Sequence, residues 1–386
     1  MAETPLSEEA PGEYIPYGRR PYYSPDPLPP DASFELDSEF HQLLRDTVLQ
    51  LGQLKGIGQE TRTNPLLYTV MVRREAVESV VLEGADTDLE QVFRTQEIDH
   101  GQTVKKDVQE ALNYERTIEQ GAEAIADGRA ISIELLQELH ASLMEGARGH
   151  CEHPGAFRNG PMNLPPAGSF QEPFVPPASD KVPGLMENLI DFITTDQSID
   201  DLLAIAIAHY QFETIHPFED GNGRLGRILI TLQMIDKGYL SRPYLYPSAY
   251  FNRHKVQYAE RMRAVSEYGE WLPWLRFFIE GIRSQAAEAE ERTRELQRLQ
   301  REYERQYGRE QTAADRLAMR LFEQPYVMTT DVEELLGVSQ PTARRAIAEL
   351  EAEGILEETT GKDRYQEFKA VDIFDVLDRP LTSTES

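Results

Sequence analysis

Between Asp201 and Asp236 the chain is apolar almost throughout, and the polar exception is the stretch His216 to Arg227, HPFEDGNGRLGR. LLAIAIAHYQF predicts a helix from Ile199 to Ile215, which Pro217 cannot continue. RLGRILITLQMI predicts a second apolar helix from Gly223 onward. Between them Asp220-Gly-Asn-Gly223 is a tight loop whose glycines permit positive φ and leave backbone amides bare. A bare-amide loop feeding a helix N-terminus is an anion nest. Arg224 and Arg227 are spaced i, i+3 and share a face of the first turn. Two guanidiniums over bare amides suit a di- or triphosphate. Asp220 stands where a hard cation bridging phosphates needs a carboxylate oxygen, and His216 is the local side chain able to accept a proton near neutral pH. The plain alternative, a histidine and two arginines capping core helices, would suffice for any one of these residues but not for the combination.

The 386 residues allow two or three domains. Residues 1–35 hold Pro16, Pro21, Pro25, Pro27, Pro29 and Pro30 and read as an extended arm, anchored in part by Tyr14, Tyr17, Tyr22 and Tyr23. Residues 36–127 are helical in pattern, with Leu43, Leu44, Val48, Leu49 and Leu51, then Leu66, Val70, Val72 and Val77, near a 3.6 period. Residues 128–282 begin with a helix over Ser132–Glu145. They continue through a Pro- and Gly-rich segment, 150–179, too apolar for a plain solvent loop, which reads as an irregular cover or short hairpin over a cleft. The charged stretch 283–310 reads as a solvated connecting helix. In 311–378 the order helix, helix, turn, helix, hairpin predicts a winged helix-turn-helix, with Thr330 and Ser339 as N-cap candidates and Gly337 and Gly354 as stops; 379–386 is a tail.

Nearly the whole chain resembles a known family. His216, Phe218, Asp220, Gly221, Asn222, Gly223, Arg224 and Arg227 match every fixed position of the Fic (Fido) motif HxFx(D/E)GNGRxxR. PGAFR (154–158), FVPP (174–177), RPYLYPSAYFNRHKVQY (242–258) and WLPWLRFFIEGI (271–282) are similar to Fic-domain sequence as well. The resemblance implies a mainly α fold, an all-helical Fic core with a short β-hairpin flap, and an enzyme that moves AMP from ATP to a Ser, Thr or Tyr hydroxyl of a target protein. It implies His216 as the base and Asp220 as the holder of Mg2+. It implies a nucleotide-binding set of Pro217, Phe218, Glu219, Asp220, Gly221, Asn222, Gly223, Arg224 and Arg227, with Phe218 facing the core, and Tyr258 near the adenine. The 150–179 segment corresponds to the flap that lays a target peptide beside the α-phosphate, although PMNLPPAG departs from the usual flap sequence. Ser79-xxx-Glu83-Gly84 fits the family's inhibitory helix, (S/T)xxxE(G/N), which implies that Glu83 pairs with Arg227 in the place of the γ-phosphate.

Other readings compete. The same fold could remove AMP or move another phosphate-containing group, and the winged helix could make the chain a transcriptional regulator with a nucleotide-sensing domain. Thr342, Arg344 and Arg345 are the candidate DNA-facing residues, yet residues 312–378 carry 15 acids against seven bases, so protein docking is the equal alternative. His209, Glu213 and His216 share a helix face but do not form HExxH, and His150-Cys151-Glu152-His153 has no second cluster to complete a tetrahedral site. The net charge of −28, spread along the chain, repels phosphate backbones and lipid surfaces; adaptation to a high-salt host explains its even spread better than an acidic docking surface does. With one cysteine, Cys151, no apolar h-region and no membrane-length apolar run, a cytoplasmic chain is the plain reading. Self-association as a homodimer is a further option that the resemblance brings.

Overall fold

Proline keeps the N-terminal arm out of a helix, and its tyrosines fold it into an antiparallel hairpin, β1 (Gly12–Ile15) and β2 (Tyr22–Pro25), in register Gly12↔Pro25 to Ile15↔Tyr22. Tyr14 packs edge-on against Tyr23, and Tyr17 against Tyr22. The hairpin is tied down where the Tyr23 amide donates to Val175 O at 2.8 Å and the Tyr14 hydroxyl donates to Glu267 at 2.7 Å. The computed structural model describes residues 6–17, 20–32, 34–60, 65–98, 104–147, 151–166, 168–195 and 198–378. His150, the Leu66 side chain and the tail at 379–386 lie outside them.

Helices follow: α1 (Ser38–Glu60), α2 (Pro65–Leu82), α3 (Leu89–Ile98), α4 (Lys106–Ala126) and α5 (Ile133–Leu143). The Asp37 carboxylate caps α1 by accepting from the Phe40 amide at 2.7 Å, and the Ser132 hydroxyl caps α5 by accepting from Leu135 at 3.2 Å. In α1 the buried stripe is Phe40, Leu43, Leu44, Thr47, Leu51 and Leu54. Val48 and Leu49, expected in the core, face solvent, because the stripe facing the neighbouring helix runs along the other side.

Among the described residues of 151–178 the backbone is irregular except where Leu164 and Phe174 pair as an antiparallel bridge, their amides and carbonyls exchanging bonds of 2.7 and 3.0 Å. Then come α6 (Val182–Thr194), α7 (Asp201–Ile215), α8 (Asn222–Asp236), α9 (Pro247–Arg253), α10 (Lys255–Tyr268) and α11 (Trp271–Tyr307). Both α7 and α8 are buried on nearly every side, which their all-round apolar sequence requires. They pack on each other, with α4 and α5 against α8 and α6 against α7. Each fully buried Leu, Ile or Phe there stabilises the fold by roughly 1.5–3 kcal/mol.

The connecting helix is not simply solvated. It continues the last core helix without a break, so α11 is about 55 Å long at 1.5 Å per residue. Beyond Arg283 one face remains buried, including Gln285, Ala289, Arg292, Leu296, Tyr303 and Tyr307. Its apolar members pack against α1 and the C-terminal domain, while the charged ones pair. Arg292 bonds Glu288 and the carbonyls of Val376 and Leu377, at 2.7 and 2.8 Å for the carbonyls.

The C-terminal domain is a winged helix: α12 (Ala313–Arg320), β3 (Tyr326–Met328), α13 (Thr329–Leu336), α14 (Gln340–Ala352), β4 (Leu356–Glu358), β5 (Glu367–Ala370) and α15 (Val371–Asp378), with sheet order β3-β5-β4. Thr330 is not the cap of α13; the cap position is Met328, and Asp331 accepts from its amide at 2.6 Å. Ser339 does take the cap position of α14, and Gly337 ends α13 in the left-handed region. Thr342, Arg344 and Arg345 lie exposed on α14. The domain is clamped to the N-terminal helices by Arg94 with Glu367, Lys369 with Glu90 at 3.0 Å, and Arg74 donating to Leu377 O at 2.8 Å. Among the described residues no helix is long and apolar enough to cross a membrane.

Candidate active site

The polar break between α7 and α8 forms the floor of the site. α7 ends at His216, which takes the left-handed conformation with φ 50° and ψ 63°, uncommon for a non-glycine residue. Its ring Nδ1 lies 3.2 Å from Glu213 O, so Nδ1 carries the hydrogen and Nε2 keeps the lone pair. Burial lowers the imidazole pKa to about 4, with Arg158 pushing the same way and Glu83 and the Glu213 carbonyl opposing.

Gly221 sits at φ 74° as the N-cap of α8, where a Cβ would run into Met144 Sδ at 2.7 Å. The Asn222 amide group is turned onto the loop itself. It accepts from the Phe218 amide at 2.8 Å and donates to Phe218 O at 2.9 Å, fixing the loop's shape. Phe218 is fully buried and stacks on His140 with centroids 3.9 Å apart. Glu219 accepts from the Glu152 amide at 3.0 Å, and Pro217 O accepts from the Arg158 amide at 2.9 Å, so both tie the loop to the flap segment. Asp220 Oδ1 accepts from the Gly221 amide at 2.6 Å and meets Arg224 at 3.3 Å, while its side chain stays a third exposed.

Arg224 is buried between Asp220 and Glu110, 3.3 Å from each. Arg227, 1% exposed, donates Nε to Ser79 Oγ at 2.8 Å and Nη2 to Ser79 O at 3.1 Å and to Glu83 Oε1 at 2.8 Å. Glu83 follows the end of α2, and Gly84 turns the chain away at φ 94°. The Glu83 carboxylate lies so close over Gly223 that a Cβ there would clash with Oε1. It therefore rests on the N-terminus of α8, where the helix dipole also favours an anion. Burial raises its carboxyl pKa, but attraction to Arg227 outweighs that and the net displacement is downward. Tyr258 is buried, its hydroxyl 2.7 Å from His209 Nε2, which gives His209 a packing partner.

Glu110, His140 and Arg158 complete the site; Arg158 ends the PGAFR stretch, but no spacing in the sequence gives any of the three a role. His140 bonds Asp220 O and accepts from the Gly155 amide, each at 2.9 Å, and so supports the loop. Glu213, on α7, lies against Gly226 of α8. Its Oε1 is buried with no hydrogen-bond partner among the described residues, and burial raises its pKa to about 8. Because the folded pKa exceeds that of an ordinary glutamate, this group's contribution to stability is present at low pH and lost as pH rises through about 8. Glu213→Gln is expected to reduce the fall in Tm between roughly pH 5 and pH 8 relative to wild type. Thermal melts across that range check it, and parallel Tm–pH curves would contradict it.

Residues 130–234 match the Fic/DOC family, residues 41–123 the Fic/DOC family N-terminal region, and residues 314–366 the DeoR-like helix-turn-helix domain. Residues 41–123 and 130–234 therefore belong to the Fic/DOC family, and a winged helix follows them. A probable protein adenylyltransferase of Aquifex aeolicus (strain VF5) is 36% identical over 98 residues, 25% of this chain and 28% of that one. The protein adenylyltransferase Fic of Drosophila willistoni is 27% identical over 154 residues, 39% of this chain and 27% of that one. The chain thus spans under a third of the length of these curated relatives. Among solved structures, a Fic family protein from Desulfovibrio desulfuricans G20 superposes with TM-score 0.59 at 22% identity, covering 87% of this chain and 97% of that one. A Fic domain containing signaling protein from Bacteroides thetaiotaomicron superposes with TM-score 0.51 at 18% identity, covering 67% and 97%. At these identities the likeness is one of fold.

Proposed function

We propose that the protein transfers AMP from ATP to a hydroxyl side chain of a target protein, and that Glu83 holds it inactive. One observation carries the reading: a carboxylate, paired with Arg227, sits on the bare amides of α8 next to His216. An anion seat already filled by an internal anion is where a phosphate would bind.

In the reaction His216 Nε2 takes the proton of the target hydroxyl, since Nδ1 is directed at Glu213 O. The target oxygen bonds to the α-phosphorus, the bond from that phosphorus to the bridging oxygen breaks, and pyrophosphate leaves with the electron pair. The amides at the start of α8, with Arg224 and Arg227, offset the charge on the phosphates. Phe218 and Asn222 serve by keeping the loop in shape, and Tyr258 walls the site behind Arg227. Asp220 fits a magnesium ion: its carboxylate is partly exposed, and among the described residues no partner takes Oδ2. No cluster of three metal-ligating side chains occurs among the described residues, so the ion's other ligands would be phosphate oxygens and water. Such an ion would neutralise phosphate charge when bound.

The test is peptide mass spectrometry after incubating Glu83→Gly with ATP, magnesium and extract of the source cell. AMP on a Ser, Thr or Tyr side chain is the expected result. Its absence from every peptide, including those of the protein itself, would overturn the reading.

A further inference from the structure

Arg158 lies in the flap segment, yet it is 4% exposed and its guanidinium is spent entirely on backbone carbonyls. Nε donates to His216 O at 2.7 Å, Nη2 to Ile215 O at 3.2 Å and Pro177 O at 2.6 Å, and Nη1 to Gly160 O at 3.1 Å. Its amide also donates to Pro217 O at 2.9 Å. Three of these bonds fall on the consecutive residues 215, 216 and 217, where the backbone passes from helix into the left-handed turn. The other two fall on Gly160 and Pro177, which bracket the Leu164–Phe174 bridge. Among the described residues no carboxylate forms an ion pair with it, so this cation is buried in a setting that lowers its own pKa to about 10 by desolvation.

A left-handed histidine is strained and persists only where its surroundings over-determine it. The carbonyls that a helix end leaves without partners are here satisfied by one rigid fork. We propose that Arg158 is a positioning residue for His216: it locks the turn that aims the imidazole and fastens the base of the flap to that same turn, so that base and target strand are held in one frame. The proposal rests on His216 acting as the base. Two charged groups bear on the imidazole. Glu83 faces it from the end of α2 and Arg158 from the flap, while from its own helix Glu213 presents a carbonyl. Removing the Arg158 cation therefore also removes a repulsion that keeps the ring neutral.

Arg158→Gln and Arg158→Lys, each in the Glu83→Gly background, test this by two readouts. The first is an NMR titration of His216, assigned by comparison with His216→Ala. It needs no activity, so it stands even where AMP transfer itself fails. Arg158→Gln is expected to raise the His216 midpoint, and Arg158→Lys to leave it near the parent value. The second is the transfer rate. Arg158→Lys keeps the charge but loses the fork, and is expected to lower kcat by roughly 10–100-fold with little change in the KM for ATP, as misplacement of a catalytic group does. An unmoved midpoint in a folded Arg158→Gln protein would overturn the electrostatic part. Should that variant not fold, Arg158→Lys decides alone, and a rate equal to the parent's would overturn the proposal. A parent that transfers no AMP while the midpoint moves as expected would instead count against the adenylyl-transfer reading.

Discussion

Replacing Glu83 with glycine is expected to raise the rate of AMP transfer by roughly 10–100-fold. Glu83 holds Arg227 by a charge-assisted bond of 2.8 Å and lies over Gly223 at the start of α8. A hydrogen bond to a charged group contributes ~1.5–3 kcal/mol, and ~1.4 kcal/mol is a factor of ten. That is the free energy ATP must overcome to place its terminal phosphate on the same guanidinium. The substitution leaves the remainder intact. Ser79 still holds Arg227 through Oγ and O, and Glu83 lies beyond the last residue of α2, so glycine there breaks no helix. The measurement is the initial rate of incorporation from labelled ATP at saturating magnesium, and equal rates for the two proteins would remove the inhibitory role.

His216→Ala in that activated background is expected to lower transfer by roughly 10²–10⁴-fold, the usual contribution of a general base. ATP affinity should hardly change, because in the proposed function the phosphates are held by Arg224, Arg227 and the amides of α8. A fall in ATP affinity equal to the fall in rate would show that the ring only props the turn. Burial depresses the imidazole pKa to about 4, so the ring is neutral and able to accept a proton throughout the physiological range. Protonation removes the base, so the rate falls as pH drops through the folded value. The acid limb of kcat/KM, which reports the free enzyme, is expected below the ~6.5 of an ordinary histidine. Removing Glu83 should push it lower still, since that carboxylate favours the charged ring.

What could be read in advance was local. Pro217 after an apolar run, two glycines and a second apolar run dictate helix, turn, helix, and the structure has them at 201–215 and 222–236. The winged helix was legible for the same reason, since Gly337 and Ser339 act on their own neighbours. Residues working across the fold were not. Glu110 reaches Arg224 from α4, and Arg158 reaches His216 from a segment whose prolines suggest only irregular backbone. A buried arginine bonded to carbonyls has no spacing rule, because its partners are main-chain atoms common to every residue. Charge misled for a related reason. The string from Arg283 to Tyr307 reads as solvated, yet Glu288 and Arg292 are buried because they pair with each other and Arg292 also donates to two carbonyls of α15. Glu83 was legible only through the resemblance of Ser79-xxx-Glu83-Gly84, since the arginine it pairs with lies 144 residues away.

The most direct measurement compares ATP labelled on the α-phosphate with ATP labelled on the γ-phosphate, each incubated with Glu83→Gly and with Glu83→Gly/His216→Ala. Label retained on protein from the α position, none from the γ position, and none in the histidine variant is the expected result. Label from the γ position, or equal labelling with and without His216, would contradict it.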